Sequence, residues 1–399
     1  MIYLDNAATT ALRPEVFDTM IEYMRENYAN PSSIYQKAGC AKVAMDVARE
    51  KIAKAISADH SNEIFFTGSG SESINWAIKS VVNNTTHGKH IITTKVEHPV
   101  VLRTCEFLEK QGFDVTYLPV DEFGMVDAQQ VEEAILEGTI LVAVMMANNE
   151  IGTIMPIAEI GEVIAKVNET RERSERILFF TDAIQAVGHI PVDVNALNVD
   201  MLALSGHKFY APKGVGALYV RRGVKLMPLI HGGGQERGRR GGTENVSGIV
   251  GMGYAIDLAM AEMEAEITRQ TELRDYLITQ ILEKIPHSRL NGHPIKRLPG
   301  NANITFDFIE GEGMLLMLDF NDIAASSGSA CTSGSLDPSH VLLAVGLTHE
   351  QAHGSLRLSL GKDTTKQELD KLIEVLPNIV ERLRQMSPLW EDYQRNSVT

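Results

Sequence analysis

The sequence predicts an α/β protein with a large domain built on a mostly parallel sheet and a smaller α+β domain. Between about residues 60 and 220, short β-rich apolar runs alternate with segments of helical spacing. The pattern changes after a long amphipathic stretch at 251–284, and no repeat or low-complexity segment occurs. Alternation of this kind is typical of a parallel sheet covered by helices on both faces.

The strands predicted for the large domain are apolar runs bounded by turn residues. They are 63–66, 91–94, 115–118, 140–145, 177–181 and 201–204. After the turn at 67–71, apolar residues fall at Ile74, Ala77, Ile78 and Val81, which predicts a helix. Ligands of such sheets bind at the carboxyl ends of the strands, so the residues just after each run are the candidate site residues.

The second domain follows the long helix, which the pattern ends at Pro286. Strand-like runs at 302–308 and 355–360 flank a helix and a loop of small residues, and Thr365 with Glu368 forms the capping box of the last strong helix. We expect a large domain at 15–262. The small domain would comprise 1–14 and 263–399 and carry a mobile loop at about 322–336.

Composition excludes several classes of protein. Of the 399 residues, 44% are hydrophobic and 22% are charged, as in ordinary globular proteins, and the formal net charge is −15. An acidic surface repels phosphate backbones, so we expect no direct binding to nucleic acid. No run of about 18 or more apolar residues occurs, which predicts no membrane span.

The first residues and the cysteines indicate the compartment. MIYLDNAATT contains no basic stretch followed by an apolar one, so we expect no signal peptide. Three cysteines at wide spacing, Cys40, Cys105 and Cys331, suit neither a disulfide framework nor a zinc site. Although His87 and His90 have the spacing of metal ligands, no third ligand accompanies them, and we expect no metal. The plain interpretation is reduced thiols in the cytoplasm.

Lys208 follows the predicted strand 201–204 and precedes a turn rich in glycine and proline. An amine desolvated at that edge of the sheet has a lowered pKa and can form a Schiff base with an aldehyde. For a lysine considered without its neighbours, a solvated position in a turn is more common than a role in a ligand site. Asp182 closes the run 177–181, where it either binds a cationic group of a ligand or caps the next segment.

The segment TGSGSES at 67–73 joins a strand to a helix. Gly68 and Gly70 allow close backbone approach, and the N–H groups that begin the helix can hold a phosphate. It matches neither a Walker loop nor a dinucleotide fingerprint. A simple tight turn with a good cap is the alternative.

Cys331 lies in SSGSACTSGS at 326–335, among small and polar residues that offer no core packing. Cys40 and Cys105 instead lie on helical patterns with apolar neighbours, as core cysteines do. An exposed thiol without packing partners indicates a reactive role for Cys331.

Two further residues have open interpretations. Arg357, the cation within the strand-like run GSLRLSLG, can bind a carboxylate through two hydrogen bonds or form a structural ion pair. His98 follows the strand 91–94 and precedes Pro99. It can stack on a cofactor ring, move protons, or cap the next helix.

Taken together, these segments resemble the cysteine desulfurases of the nitrogen-fixation and iron–sulfur-assembly type, within the class V aminotransferase fold. The resemblance covers nearly the whole chain. It is carried by YLDNAATT (3–10), NPSS (30–33), NNEIG (148–152), TDAIQAVG (181–188), SGHK (205–208), GGGQERGRRGGTEN (232–245), SSGSACTSGS (326–335) and LRLSLG (356–361).

The resemblance implies pyridoxal 5′-phosphate (PLP) as cofactor and a role for each matching residue. Lys208 would bind PLP covalently, Asp182 would pair with the pyridine nitrogen, Gln185 would contact the ring hydroxyl, and His98 would stack on the ring. Positions that hold the phosphate or contact the cofactor are matched by Gly70, Ser71, Ser205, His207 and Asn149. Thr243 would complete the phosphate site of the neighbouring subunit, which implies a homodimer.

The resemblance also implies the reaction. Arg357 would bind the carboxylate of the substrate L-cysteine, with Asn30 nearby, and Cys331 would take the sulfur as a persulfide. A protein acceptor for iron–sulfur cluster assembly or another thiolation would receive it. The departures TGSGSES, Tyr35 and Ala211 remove no group that the chemistry requires. An aminotransferase or lyase of the same fold is the alternative, and a non-catalytic nucleotide-binding or scaffold protein is a third.

Overall fold

The computed structural model of the chain describes residues 1–327 and 337–397. Its strands are β1 Ile2–Tyr3, β2 Ile64–Thr67, β3 His90–Thr94, β4 Asp114–Leu118, β5 Thr139–Ala143, β6 Leu178–Asp182, β7 Met201–Ser205, β8 Gly216–Val220, β9 Ser288–Asn291, β10 Asn301–Phe306, β11 Ile323–Ala324 and β12 Ser355–Ser359. Its helices are α1 Pro14–Arg25, α2 Gln36–Ala55, α3 Gly70–Asn84, α4 Pro99–Glu109, α5 Ala128–Ala134, α6 Ile157–Asn168, α7 Gln235–Gly238, α8 Val246–Lys284, α9 Gly311–Asp319, α10 His340–Ala344, α11 His349–His353, α12 Lys366–Gln385 and α13 Pro388–Ser397. Most of the loop expected at about 322–336, including Cys331, lies outside the described residues.

Seven strands form the main sheet in the order β2-β8-β7-β6-β5-β3-β4. Neighbours from β7 to β4 run parallel, whereas β8 is antiparallel to both β2 and β7. Successive side chains of a strand point to opposite faces of the sheet and pack in different hydrophobic cores. In β5, Val142 packs in one core, while Leu141 and Ala143 pack in the other. Both faces are thus covered, which confirms the predicted mostly parallel sheet.

The strands and helices predicted from hydrophobic spacing are confirmed, with boundaries shifted by a few residues. The long helix begins at Val246 rather than at 251 because the Asn245 side chain accepts a hydrogen bond from Gly248 N and caps it. The capping box at Thr365 and Glu368 is present at the start of α12.

A second, smaller sheet has the order β12-β10-β9 and is antiparallel. Its core draws on Leu4 and on apolar residues between 277 and 380. Helices α10 and α11 depart from this grouping, since Val341, Leu342 and Ala352 pack into the core of the main sheet instead. The predicted division at 262/263 falls within the continuous helix α8 and stays a prediction.

Within the described residues, α8 is the one helix long and apolar enough, by length and composition, to cross a membrane. Its most apolar window has a mean hydropathy of 1.2 and is 50% buried inside the protein. The helix packs along α1 and α2 and contributes Ile249, Met252 and Ile256 to the core. These contacts are those of a core helix.

The N-terminal segment 3–10 runs between the two sheets. Asp5 forms an isolated bridge with Ser359 at the end of β12, and Thr10 N donates a hydrogen bond to His207 O beyond β7. The segment therefore ties the carboxyl edge of the main sheet to the small sheet, and the candidate site lies where they meet.

Candidate active site

A cavity of about 280 Å³ opens where the parallel strands of the main sheet end. Of the residues singled out in the sequence, ten line it: Gly70, Ser71, His98, Asn149, Asp182, Gln185, Ser205, His207, Lys208 and Arg357. Nine of them come from the main sheet and its loops, where the common direction of the strands collects them at one edge, and Arg357 comes from the small sheet.

Two other predicted site residues, Asn30 and Thr243, are not among the described residues that line the cavity. Asn30 is exposed, and its side chain accepts a hydrogen bond from Ser32 N at 2.9 Å. Thr243 is also exposed in the single chain. Cys331 lies outside the described residues, so the predictions about it stay predictions.

Lys208 ends a single helical turn, Gly206–Lys208, that directly follows the buried strand β7. Its Nζ donates hydrogen bonds to Ala7 O at 2.6 Å and to Ala8 O at 2.7 Å. The two carbonyls hold the amine at the cavity, and they belong to the N-terminal segment, which sequence reasoning had not connected with this lysine.

Asp182 is the last residue of β6, opposite Ala203 of β7 in register. Burial raises the pKa of its carboxyl to about 6, although a hydrogen bond from Ile184 N and the positive charge of Lys208 oppose the rise. A buried carboxylate of this kind favours a cationic partner. Beside it, Gln185 Nε2 donates to Ala7 O at 3.0 Å.

His98 caps α4, as one of its interpretations predicted, and it also lines the cavity, while its stacking and proton-transfer roles stay predictions. Its Nδ1 accepts a hydrogen bond from Val100 N at 3.1 Å at the start of α4. Burial, and then the charge of Lys208, lowers its pKa to about 4. At neutral pH the ring is therefore uncharged, with its proton on Nε2.

The phosphate-binding candidates surround the start of α3. Ser69 Oγ caps the helix by accepting from Glu72 N at 3.1 Å, which leaves Gly70 and Ser71 in the first turn beside the cavity. Ser205 and His207 approach from the end of β7, and His207 Nδ1 lies 3.1 Å from Thr9 Oγ1. The first turn of a helix of this length is a favourable anion site.

Arg357 enters from the small sheet and is buried. Its Nη2 lies 2.8 Å from Asp5 Oδ1 and its Nη1 donates to Asn149 O at 3.1 Å. Its Nε has no hydrogen-bond partner among the described residues. The structural ion pair considered for Arg357 is thus present, and one buried donor remains available for an anionic ligand.

Two buried carboxyls near the site escaped the sequence analysis. Glu97 accepts from Met145 N at 2.8 Å and from Thr94 Oγ1 at 2.9 Å, and burial raises its pKa to about 8. Glu150 accepts from Ser339 Oγ, and burial raises its pKa to about 7. Their signal in the sequence is slight, a single acidic residue just after an apolar run.

Comparison with known proteins agrees with this geometry. The family model for aminotransferase class-V matches residues 2–372. The chain is similar to the cysteine desulfurase IscS of Methanosarcina thermophila, with 56% identity over 97% of this chain and 94% of the relative. Among solved structures, a NifS-like protein has 37% identity and a TM-score of 0.89 over 96% of this chain and 100% of its own. A structure described as SspA in complex with cysteine has 40% identity and a TM-score of 0.78 over 90% of this chain and 99% of its own.

The raised pKa of Glu97 predicts a pH-dependent stability for the cofactor-free protein. Between its ordinary value and about 8, Glu97 is protonated in the folded chain and ionised in the unfolded one. The free energy of unfolding should therefore fall as the pH rises through this interval, by at most about 1.4 kcal/mol per pH unit for this group. Glu97→Gln should show a shallower fall between pH 5.5 and pH 8.0 in urea unfolding.

Glu132→Gln, which changes an exposed carboxyl on α5, is the control and should follow the wild type. An unchanged slope in Glu97→Gln would mean that Glu97 is ionised in the folded protein.

Proposed function

The chain belongs to the class-V aminotransferase family and is a cysteine desulfurase, and on that premise we propose how its own residues carry out the reaction. The enzyme removes sulfur from L-cysteine, releases L-alanine and carries the sulfur on Cys331 as a persulfide. The observation that carries the proposal is the single cavity in which Lys208, Asp182 and Arg357 meet. It combines an amine, a buried carboxylate and a buried arginine donor.

The residues of the cavity fit PLP, the cofactor of this family. Lys208 would bind its aldehyde, the buried Asp182 would pair with its pyridine nitrogen, and the start of α3 would hold its phosphate at Gly70 and Ser71. Ser205 and His207 would complete the phosphate contacts, with Gln185, Asn149 and the uncharged ring of His98 around the pyridine. When bound, PLP supplies an electron sink for the charge left after a Cα proton is removed.

The chain's own groups then have distinct tasks. Arg357 binds the substrate carboxylate, and Lys208 Nζ takes the Cα proton. The thiolate of Cys331 attacks the substrate sulfur, so an S–S bond forms as the C–S bond breaks, and a proton returned to carbon gives alanine. In sum, a thiol and L-cysteine become a persulfide and L-alanine, and no outside oxidant or reductant is needed.

The two other cysteines are poorly suited to this task. Cys105 is buried in α4, and burial raises the pKa of its thiol to about 12. It therefore stays an unreactive thiol at neutral pH. Cys40 is exposed on α2 and does not line the cavity. Both thiols are free, in keeping with a reducing cytoplasm.

The acceptor of the sulfur is proposed to be a protein of iron–sulfur cluster assembly or another thiolation system. Similarity to IscS favours the first of these. Direct transfer to nucleic acid is not proposed, because the net charge of −15 opposes contact with a phosphate backbone.

We also propose a homodimer in which Thr243 serves the partner's phosphate site. Thr243 is exposed in the single chain, as a residue that acts on a neighbour would be. Exposed apolar residues also occur together before and along α2, namely Ile34, Tyr35, Val43 and Val47. An apolar surface of this kind favours burial against another protein.

The dimer can be tested by adding charge to that surface. Ile34→Asp combined with Val43→Asp should shift the chain towards the monomer, since obligate dimers bury apolar surface of roughly 2,000 Å² or more. PLP retention should fall with it, because Thr243 would be lost from the site. Light scattering measures the oligomeric state, and cofactor absorbance measures the retention of PLP. A wild-type monomer that is fully loaded and active would refute the dimer.

The substrate role of Arg357 can be separated from its structural ion pair. Arg357→Lys should raise the KM for cysteine by about 10- to 150-fold, since losing a charge-assisted hydrogen bond costs roughly 1.5–3 kcal/mol. Asp5→Asn is the control, because it weakens the ion pair and leaves the guanidinium in place. If both variants lose only thermal stability and keep the wild-type KM, Arg357 is structural.

The sulfur-transfer role of Cys331 is tested by Cys331→Ser. Serine keeps the size and polarity of the residue, but its hydroxyl is far less acidic and cannot hold a persulfide. The variant should bind PLP and change its visible absorption when cysteine is added, yet release almost no alanine. Alanine and sulfide are measured with excess cysteine and a reductant.

Cys40→Ser and Cys105→Ala are the matched controls and should keep their activity. Wild-type turnover by Cys331→Ser would instead indicate the alternative, another class-V aminotransferase or lyase, which has no need of this thiol.

A further inference from the structure

We propose that Glu72 and Arg240 form a clamp that holds the PLP phosphate loop and the Thr243 segment of one subunit in fixed register. The phosphate loop is residues 68–71, and the Thr243 segment is residues 230–243. The inference rests on the proposed PLP-dependent homodimer. If Thr243 serves the neighbour, each PLP site depends on two clamps, its own through Gly68 and the partner subunit's through Thr243.

Glu72 joins the two segments directly. Its Oε2 accepts a hydrogen bond from Gly68 N at 2.7 Å, at the start of the phosphate loop. Its Oε1 accepts from Arg240 Nε at 2.8 Å, and Oε2 also accepts from Arg240 Nη2 at 3.1 Å. The two parallel bonds match the planar guanidinium to the carboxylate, which sets orientation as well as distance.

The ion pair is well shielded for one near the surface. The Glu72 side chain is 16% exposed and that of Arg240 is 22% exposed. The hydrogen bonds that Arg240 donates to Glu72 raise the pKa of Arg240 above its ordinary value, and burial opposes the rise. A geometrically matched, shielded pair holds its partners more firmly than an exposed one.

A second ion pair anchors the Thr243 segment beside the strand that leads into the phosphate loop. Glu236 accepts from Arg49 Nη1 at 2.9 Å, from Arg49 Nη2 at 2.8 Å, and from Phe66 N at 2.9 Å. Phe66 lies in β2, the strand that leads into the phosphate loop. Glu236 and Arg237 have φ values of 45° and 57°, which non-glycine residues adopt only when their surroundings require it.

The base of the Thr243 segment is closed by backbone contacts. Gly241 N donates to Ile230 O at 2.9 Å, and a Cβ built on Gly241 would lie 2.7 Å from the Cα of Gly232. Only glycine allows this approach. Thr243 follows two residues later, so its position is set by a closed loop that is fastened to β2 and α3.

Glu72 and Arg240 do not line the cavity, so they are positioning residues. Loss of the clamp should therefore weaken PLP binding in both subunits of a dimer. We expect Arg240→Met to raise the PLP dissociation constant by roughly tenfold, the factor that about 1.4 kcal/mol produces. The dissociation constant of Arg240→Lys should lie between those of the wild type and Arg240→Met. Adding Glu72→Gln to Arg240→Met should raise it little further, since both changes remove the same ion pair.

A heterodimer separates action in the same subunit from action on the partner. One subunit carries Lys208→Ala, so only the other, wild-type site shows the visible absorption of lysine-bound PLP. Arg240→Met is then placed in the Lys208→Ala subunit, and loss of absorption is followed after dilution into a PLP scavenger. The wild-type site loses one of its two clamps, so it should release PLP roughly threefold faster than in the heterodimer without Arg240→Met.

Arg173→Met, at an exposed arginine far from the loop in sequence, is the control and should change nothing. Thermal unfolding checks that the heterodimers remain folded. Unchanged release when Arg240→Met is in the Lys208→Ala subunit, with faster release only when Arg240→Met is in the subunit that keeps Lys208, would overturn the clamp. A monomeric wild type would overturn the proposed homodimer and the clamp with it, and a wild type without lysine-bound PLP would overturn the proposed cofactor site and the clamp with it.

Discussion

The parallel pairing of β6 with β7 is the constraint on which the site depends. Because the two strands run in the same direction side by side, Asp182 at the end of one and Lys208 just beyond the other reach the same edge of the sheet. Burial makes the charged form of Asp182 costly, and the positive charge of Lys208 stabilises it. An antiparallel pairing would place the two groups at opposite edges.

The N-terminal segment holds the site residues that the main sheet brings together. Its carbonyls at Ala7 and Ala8 hold Lys208, and the first of them also accepts from Gln185. Asp5, in the same segment, pairs with Arg357 of the small sheet. One short segment of backbone, which turns at residues 6–8, thus links the amine from the main sheet to the arginine from the small one, and movement of either sheet would change the geometry of the cavity.

Electrostatics at the cavity differ from those of the surface. The chain is acidic overall, yet Glu97, Glu150 and Asp182 have raised pKa values, while His98 and His207 have lowered ones. Burial is the leading cause in each case, and it disfavours whichever form carries charge. At neutral pH the site therefore contains fewer charged side chains than its acidic residues and histidines would suggest. This suits a pocket that binds its ligand through a few charges held in fixed positions.

Sequence pattern alone is enough to predict the alternating strands and helices, the capping box at Thr365, and the candidate site residues Lys208, Asp182, His98, Arg357 and Gly70; the other five cavity residues, Ser71, Asn149, Gln185, Ser205 and His207, are predicted from the family resemblance. Hydrophobic period and turn chemistry are local properties, and parallel strands collect the residues that follow them. Tertiary structure decides what depends on distant partners: that Asp5 neutralises Arg357, that Ala7 and Ala8 hold Lys208, and that Glu72 reaches Arg240. Each of these contacts joins residues more than a hundred positions apart. Packing determines which carboxylate or carbonyl meets which cation, and the local spacing of residues in the sequence does not predict it.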